Sequence, residues 1–188
     1  MTEAPWRRRF RAARMSLPGW ARDNPDRLLY ASNVGGKWEL YAWDRAADTH
    51  RQVTDRPEGT IFGGLDPAGD RIWWFDDERG NELGRWLTEP FAGGEPPRPV
   101  APDLLPAYSA GLSIGRTLAV IGSAIDEGAR VHVVRHGEAP RLIYAHVQHA
   151  DVAGLSRDET MICLGHAERG DSRHPDLRAV DLAGRALA

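Results

Sequence analysis

The sequence predicts an all-β protein of β-propeller architecture, with about four four-stranded blades forming a partial or open ring of a larger propeller. The first observation behind this is a phrase that returns along the 188 residues: a small residue and Leu, a polar turn, then an apolar strand. It reads Gly64-Leu65-Asp66-Pro67-Ala68-Gly69-Asp70-Arg71-Ile72, then Gly111-Leu112-Ser113-Ile114-Gly115-Arg116-Thr117-Leu118, then Gly154-Leu155-Ser156-Arg157-Asp158-Glu159-Thr160-Met161, with a weaker first copy from Trp20 to Leu28. The residues before the apolar runs, Arg27, Arg71, Arg116 and Glu159, are spaced 44, 45 and 43 residues apart, the period of a unit built from one small sheet. The second observation is that strands are apolar on both sides: alternation puts Trp38, Leu40 and Ala42 on one face and Glu39, Tyr41 and Trp43 on the other. A blade held between two other blades needs that pattern.

The elements follow in order. Residues 1–19 form a basic arm, with Arg7, Arg8, Arg9, Arg11 and Arg14 among Trp6, Phe10 and Met15, ending at Pro18-Gly19. It reads either as a docking arm for an acidic partner or as a solvated segment with apolar anchors. Blade one, about 20–60, has strands at Arg27–Ser32 and Lys37–Asp44, then the polar His50-Arg51-Gln52-Val53-Thr54, suited to an outer edge. Blade two, about 61–106, has Ile72–Phe75 and Glu82–Leu87. A loop from Glu89 to Pro106 follows, whose six prolines keep much of it out of a sheet. Blade three, about 107–150, has strands at Leu118–Gly122, Ala129–Val134 and Pro140–Tyr144. Blade four, about 151–188, has Met161–Leu164 and Leu177–Leu182, and its last strand is due at the end of the chain.

Composition excludes some functions and leaves others open. With 24 basic and 27 acidic residues, a net charge of −3 gives no basic face for nucleic acid. No stretch is long and apolar enough for a membrane span, and the N-terminus lacks the apolar core of a secretion signal. A cytoplasmic location is expected. The single cysteine, Cys163, lies in the apolar run Met161-Ile162-Cys163-Leu164 and reads as a buried small hydrophobe.

The strand, the Gly-containing turn, Lys37-Trp38-Glu39-Leu40-Tyr41-Ala42-Trp43-Asp44, the polar turn and Arg51-Gln52-Val53-Thr54 resemble the repeat of TolB-like propellers. They are especially similar to the N-terminal propeller of the prolyl oligopeptidase family of serine peptidases, in its acylaminoacyl-peptidase-like branch. The resemblance runs from about Trp20 to Gly184. It implies a propeller that caps an α/β-hydrolase domain and limits access to it by size, with the catalytic Ser, Asp and His all in a hydrolase domain that follows. The chain is then expected to be the non-catalytic front part of a longer peptidase. Its partners are that hydrolase domain and a peptide substrate, and no catalytic, cofactor-binding or metal-binding residue is assigned here. The alternative is a stand-alone TolB-like propeller that scaffolds a protein partner.

Several motifs imitate chemistry. Gly111-Leu112-Ser113-Ile114-Gly115 fits the Gly-x-Ser-x-Gly elbow of an autonomous hydrolase. An elbow needs a helix directly after the Ser, and Arg116–Gly122 reads as a strand. Ser113 is instead matched with Asp66 and Ser156 as a turn residue bonding nearby backbone. The pairs His132/His136, His146/His149 and His166/His174 are candidate metal ligands. His149 and Asp151 are the pair a strand would place on one side, against the simpler reading of loop histidines. The charged stretch 165–176 is the segment expected to line an inter-domain cavity or, more simply, to be a solvated hairpin tip. Trp38, Tyr41, Trp43, Trp73, Trp74 and Trp86 follow the strand period and read as core rather than as a stacking platform.

Blades left without neighbours carry a cost. If each uncovered face is about 600 Å², the forgone burial is on the order of 15 kcal/mol per face at ~25 cal/mol/Å². The isolated chain is therefore expected to be marginal, aggregation-prone or self-associating through its open faces, unless it closes as a four-bladed ring.

Overall fold

The computed structural model describes residues 12–77 and 79–187, and every regular element among them is a strand. The chain divides into two compact units, residues 1–74 with 89–96 and residues 75–88 with 97–188. Most of the predicted basic arm, residues 1–11, lies outside the described residues. Its described end runs beside the first blade: Met15 bridges Ser32, and the Ser16 N–H donates to the Ala31 carbonyl at 2.8 Å.

The first unit is built on a four-stranded antiparallel sheet of β1 (Gly19–Ala21), β2 (Asn24–Ser32), β3 (Glu39–Asp44) and β4 (Thr49–Gln52), in that order. β2 begins at Asn24, earlier than the expected Arg27. The β1–β2 turn is the short Arg22-Asp23, and the pairing shifts between Trp20 and Ala21, where Pro25 has no N–H to give the ladder. Leu29, Ala31, Leu40 and Ala42 are buried. β5 (Gly63–Leu65) pairs with β6 (Arg71–Asp77), whose residues up to Trp74 belong to this unit. Gly63 lies close to its neighbours: a Cβ there would sit 2.6 Å from Leu40 Cδ1 and 3.0 Å from the Trp73 carbonyl oxygen, so Leu40 would have to shift.

Two buried carboxylates brace this unit. Glu39 accepts from Thr54 Oγ1 at 2.6 Å and from the Arg56 N–H at 2.9 Å. Glu89 accepts from Arg51 Nη1 at 3.0 Å and from Trp74 Nε1 at 3.2 Å. Arg51 also donates to the carbonyls of Pro90 and Phe91, so the polar outer strand holds residues 89–91. Every such bond offsets the desolvation of a buried charge.

The second unit contains the rest of the strands. They are β7 (Leu83–Pro90, up to Thr88 in this unit), β8 (Arg98–Pro99), β9 (Ala107–Ile114), β10 (Leu118–Ile125), β11 (Gly128–Arg135), β12 (Arg141–His146), β13 (Ala150–Leu155), β14 (Met161–His166) and β15 (Asp176–Asp181). The Pro-rich stretch after Glu89 is more ordered than its prolines suggest: β8 pairs with Leu87 and Thr88 of β7, and Phe91 and Ala101 are buried. Proline at a strand edge sacrifices a donor the ladder does not use there. β9–β12 form one antiparallel run and β13–β15 another. Between them Leu118, Val120, Val131 and Val133 pack on Val152, Ile162, Leu164 and Val180, the main apolar core of the unit.

Candidate functional site

Ser113 lies inside β9, opposite Val120 of β10, and no helix follows it. Its match with Asp66 and Ser156 is corrected by the turns themselves. Asp66 and Ser156 open five-residue turns: the Asp66 carboxylate accepts the Arg71 N–H at 2.9 Å, and Ser156 Oγ accepts those of Thr160 and Met161 at 3.1 and 2.9 Å. In the third repeat the turn is tighter, closed by the Gly115 N–H on the Leu118 carbonyl at 2.8 Å, which leaves Ser113 two residues back in the strand. Glu159 of the next repeat satisfies that turn. It accepts from the Arg116 N–H, from the Thr117 N–H at 3.0 Å and from Thr117 Oγ1 at 2.6 Å.

The histidine pairs do not come together as ligand sets. His132 is buried on β11, whereas His136 is exposed beyond the strand end. Burial, and secondarily the nearby Arg130 charge, pushes the His132 pKa down. His146 Nδ1 accepts the Gln148 N–H at 3.1 Å, and His149 is exposed just before β13. His166 is buried on β14, and His174 pairs with Asp171 at 2.8 Å on the exposed hairpin tip. Among the described residues, no three His, Cys, Asp or Glu side chains gather as a metal-binding group.

The 165–176 stretch joins β14 to β15, with His166 opposite Asp176 at its base. Its anchor is Glu168. Arg178 grips that carboxylate with both nitrogens at 2.7 Å, and the Tyr144 hydroxyl donates to it at 2.8 Å. Planar guanidinium and carboxylate match as a fork. The Arg178 and Tyr144 hydrogen bonds hold the Glu168 carboxyl at about 2. Burial and the Glu168 contact push the Tyr144 hydroxyl up to about 12. These groups satisfy one another, which suits clamping the loop to β12 and β15. Further out, Arg169 and Arg173 are exposed, and Asp171 accepts the Arg173 N–H. The tip thus carries exposed charge, with Arg169 paired to Asp176 at 3.4 Å.

A second feature was not read from the sequence. In the first unit an apolar groove of about 600 Å³ is lined by Leu17, Trp20, Trp38, Leu40, Ile61 and Leu65. Trp38, expected in the core with the other aromatics, is 38% exposed here, whereas Tyr41 and Trp74 are buried. Alternation in the expected strand Lys37–Asp44 placed Trp38 and Leu40 on one face, but β3 starts at Glu39 and the pattern does not say whether that face is covered. The volume falls within the range of small-ligand sites.

No known sequence family and no curated protein matches the chain. Solved structures do. TolB from Acinetobacter baumannii is similar over 93% of this chain and 43% of its own, with a TM-score of 0.67 and 14% identity. A structure from work on two prolyl endopeptidases and the role of inter-domain dynamics in their catalysis and specificity is similar over 95% of this chain and 30% of its own, with a TM-score of 0.73 and 14% identity. An oligogalacturonate lyase in complex with manganese is similar over 88% and 49%, with a TM-score of 0.65 and 16% identity. The chain thus spans less than half the length of each of these structures. Its fold is that of a TolB-like β-propeller, present here in part.

Proposed function

We propose that this chain is the propeller portion of a prolyl-oligopeptidase-like serine peptidase, gating peptide access to a hydrolase domain outside these 188 residues. The observation that carries the reading is the likeness to the prolyl endopeptidase structure across 95% of the chain at a TM-score of 0.73. The groove of Leu17, Trp20, Trp38 and Ile61 supports it, because an apolar cleft accepts peptide side chains without sequence-specific bonds. Ser113, lying within a strand, also fits a chain whose chemistry is done elsewhere. The 165–176 tip would contribute charged contacts to substrate or to the hydrolase domain.

The test is fluorophosphonate labelling of a native extract, followed by peptide mapping. Peptides of this chain are expected in a labelled polypeptide heavier than 20.8 kDa, and the purified chain alone takes no label. Peptides found only in an unlabelled polypeptide of that mass would overturn the peptidase reading. The likeness to TolB supports a second one, a stand-alone scaffold for a protein partner.

A further inference from the structure

The face of β10–β12 that carries the core residues Leu118 and Val133 ends in two arginines. Leu118 stands opposite Arg135, and Val133 stands opposite Arg141. Residues facing each other across an antiparallel pair, and those two apart along a strand, project from the same side of the sheet. Val133, Arg135 and Arg141 therefore rise together, the two arginines as diagonal neighbours. With Glu138 and Ala139 of the intervening turn they wall a cavity of about 450 Å³. Like charges so placed repel unless something of opposite sign lies between them.

Both guanidiniums keep binding capacity. Arg135 is half-buried, yet its guanidinium has no hydrogen bond and no acidic partner among the described residues. Other half-buried arginines are matched, Arg51 by Glu89 and Arg178 by Glu168. Arg141 is pinned by one bond, from Nη2 to the Leu182 carbonyl at 2.6 Å, which leaves most of its N–H donors unspent. That carbonyl belongs to the 181–185 turn, packed on β12 so closely that a Cβ at Gly184 would lie 2.1 Å from the Ile143 carbonyl oxygen. The acids nearby are committed or apart. Asp181 Oδ1 accepts the Ala183 and Arg185 N–H groups at 2.8 and 2.9 Å, and Glu138 lines the cavity without an ion pair among the described residues.

From this cavity we propose an oxyanion site, in which Arg135 and Arg141 take the carboxylate or phosphate group of a small organic ligand whose apolar remainder faces Val133 and Ala139. The guanidinium fork matches both groups, and a bound anion relieves the repulsion between the two cations. The volume is that of a small-ligand site rather than of a bare ion. Glu138 in the same wall sets the charge the site prefers, since its carboxylate repels a doubly charged phosphate more than a singly charged carboxylate.

The experiment treats the full chain with phenylglyoxal, which modifies guanidinium groups, at fixed ionic strength, and reads each arginine by peptide mass spectrometry. Acetate and inorganic phosphate are the probes. Each is expected to slow modification of Arg135 and Arg141 saturably, by about tenfold at saturation, while Arg173 on the exposed 165–176 tip keeps its rate. Arg135→Gln should remove the protection of Arg141. Glu138→Gln, at an exposed turn position, should lower the half-saturating phosphate concentration several-fold and change acetate less. Circular dichroism checks both variants, and if Arg135→Gln does not fold, Glu138→Gln carries the test. Protection by acetate alone assigns the site to carboxylates, and protection by phosphate alone assigns it to phosphate esters. Protection by neither overturns the proposal, as does equal slowing at Arg173, which would make the two arginines ordinary solvated charges. Phosphate protection indifferent to Glu138→Gln also overturns it, because the anion would then lie outside this cavity.

Discussion

Arg51→Met is the most informative single change in the first unit. It removes the fork that binds Glu89 at 3.0 Å and the Pro90 and Phe91 carbonyls at 3.2 and 2.9 Å. The Glu89 side chain is 6% exposed and, among the described residues, keeps the Trp74 indole N–H as its donor. Breaking a buried ion pair from one side costs roughly 3–5 kcal/mol. Arg51 itself is 31% exposed, which screens part of the attraction and favours the low end, about 3 kcal/mol. For a chain of this size that is a fall of roughly 6–12 °C in melting temperature. Urea unfolding followed by tryptophan fluorescence measures the loss. Adding Glu89→Gln to Arg51→Met should recover part of it, because the stranded charge is then gone, whereas Arg51→Lys recovers less of the fork's geometry. A loss below about 0.5 kcal/mol would be that of an ordinary surface pair, and would refute the idea that this outer-strand arginine secures residues 89–91.

Glu168 supplies a sharp pH effect. Its folded carboxyl titrates at about 2 against an ordinary 4.5, so the stability it contributes is full above pH 4.5 and drains away as pH falls toward 2. Glu168→Gln should flatten that acid limb in pH-dependent melting, and the Tyr144 phenolate should appear by absorbance only near pH 12. His132 acts in the same direction at higher pH: with its folded pKa below the ordinary 6.5, the unfolded chain takes the proton first and stability falls as pH drops below 6.5. His132→Gln should remove that slope. Gly122→Ala puts a Cβ 1.9 Å from the Ala110 carbonyl oxygen. It should cost about 1–3 kcal/mol as an overpacking change, whereas Leu177→Ala, at an exposed position, should stay within about 0.5 kcal/mol.

The repeat was legible because a blade cannot hide its apolar sides alone, so the same alternation has to return with each unit. Ile72, Leu118 and Ile162 announce their strands in this way, and all three are buried. Turn length was not legible. The third phrase reads like its sisters, yet its hairpin closes on Arg116-Thr117, because the acceptor completing that turn is Glu159, 43 residues onward in the next repeat. Coverage was hidden for the same reason: Trp38, at the edge of β3, and Cys163, half-buried within β14, lie in segments as apolar as any other, and exposure depends on what packs against them. The anchor of the 165–176 loop could be seen only as a run of charge, since Tyr144, Glu168 and Arg178 meet from three separate segments.

Glu159 reaches back with a backbone φ of +59°, a conformation uncommon for a residue with a side chain. Gly115 keeps the approach open, as a Cβ there would lie 2.7 Å from the Glu159 carboxylate. A lesion in one module therefore surfaces in the module before it. Shuffling, deleting or transplanting the fourth module would take the Glu159 carboxylate away from the amides of Arg116 and Thr117. The seams of this protein are thus poor breakpoints for recombination, however alike its units look on paper.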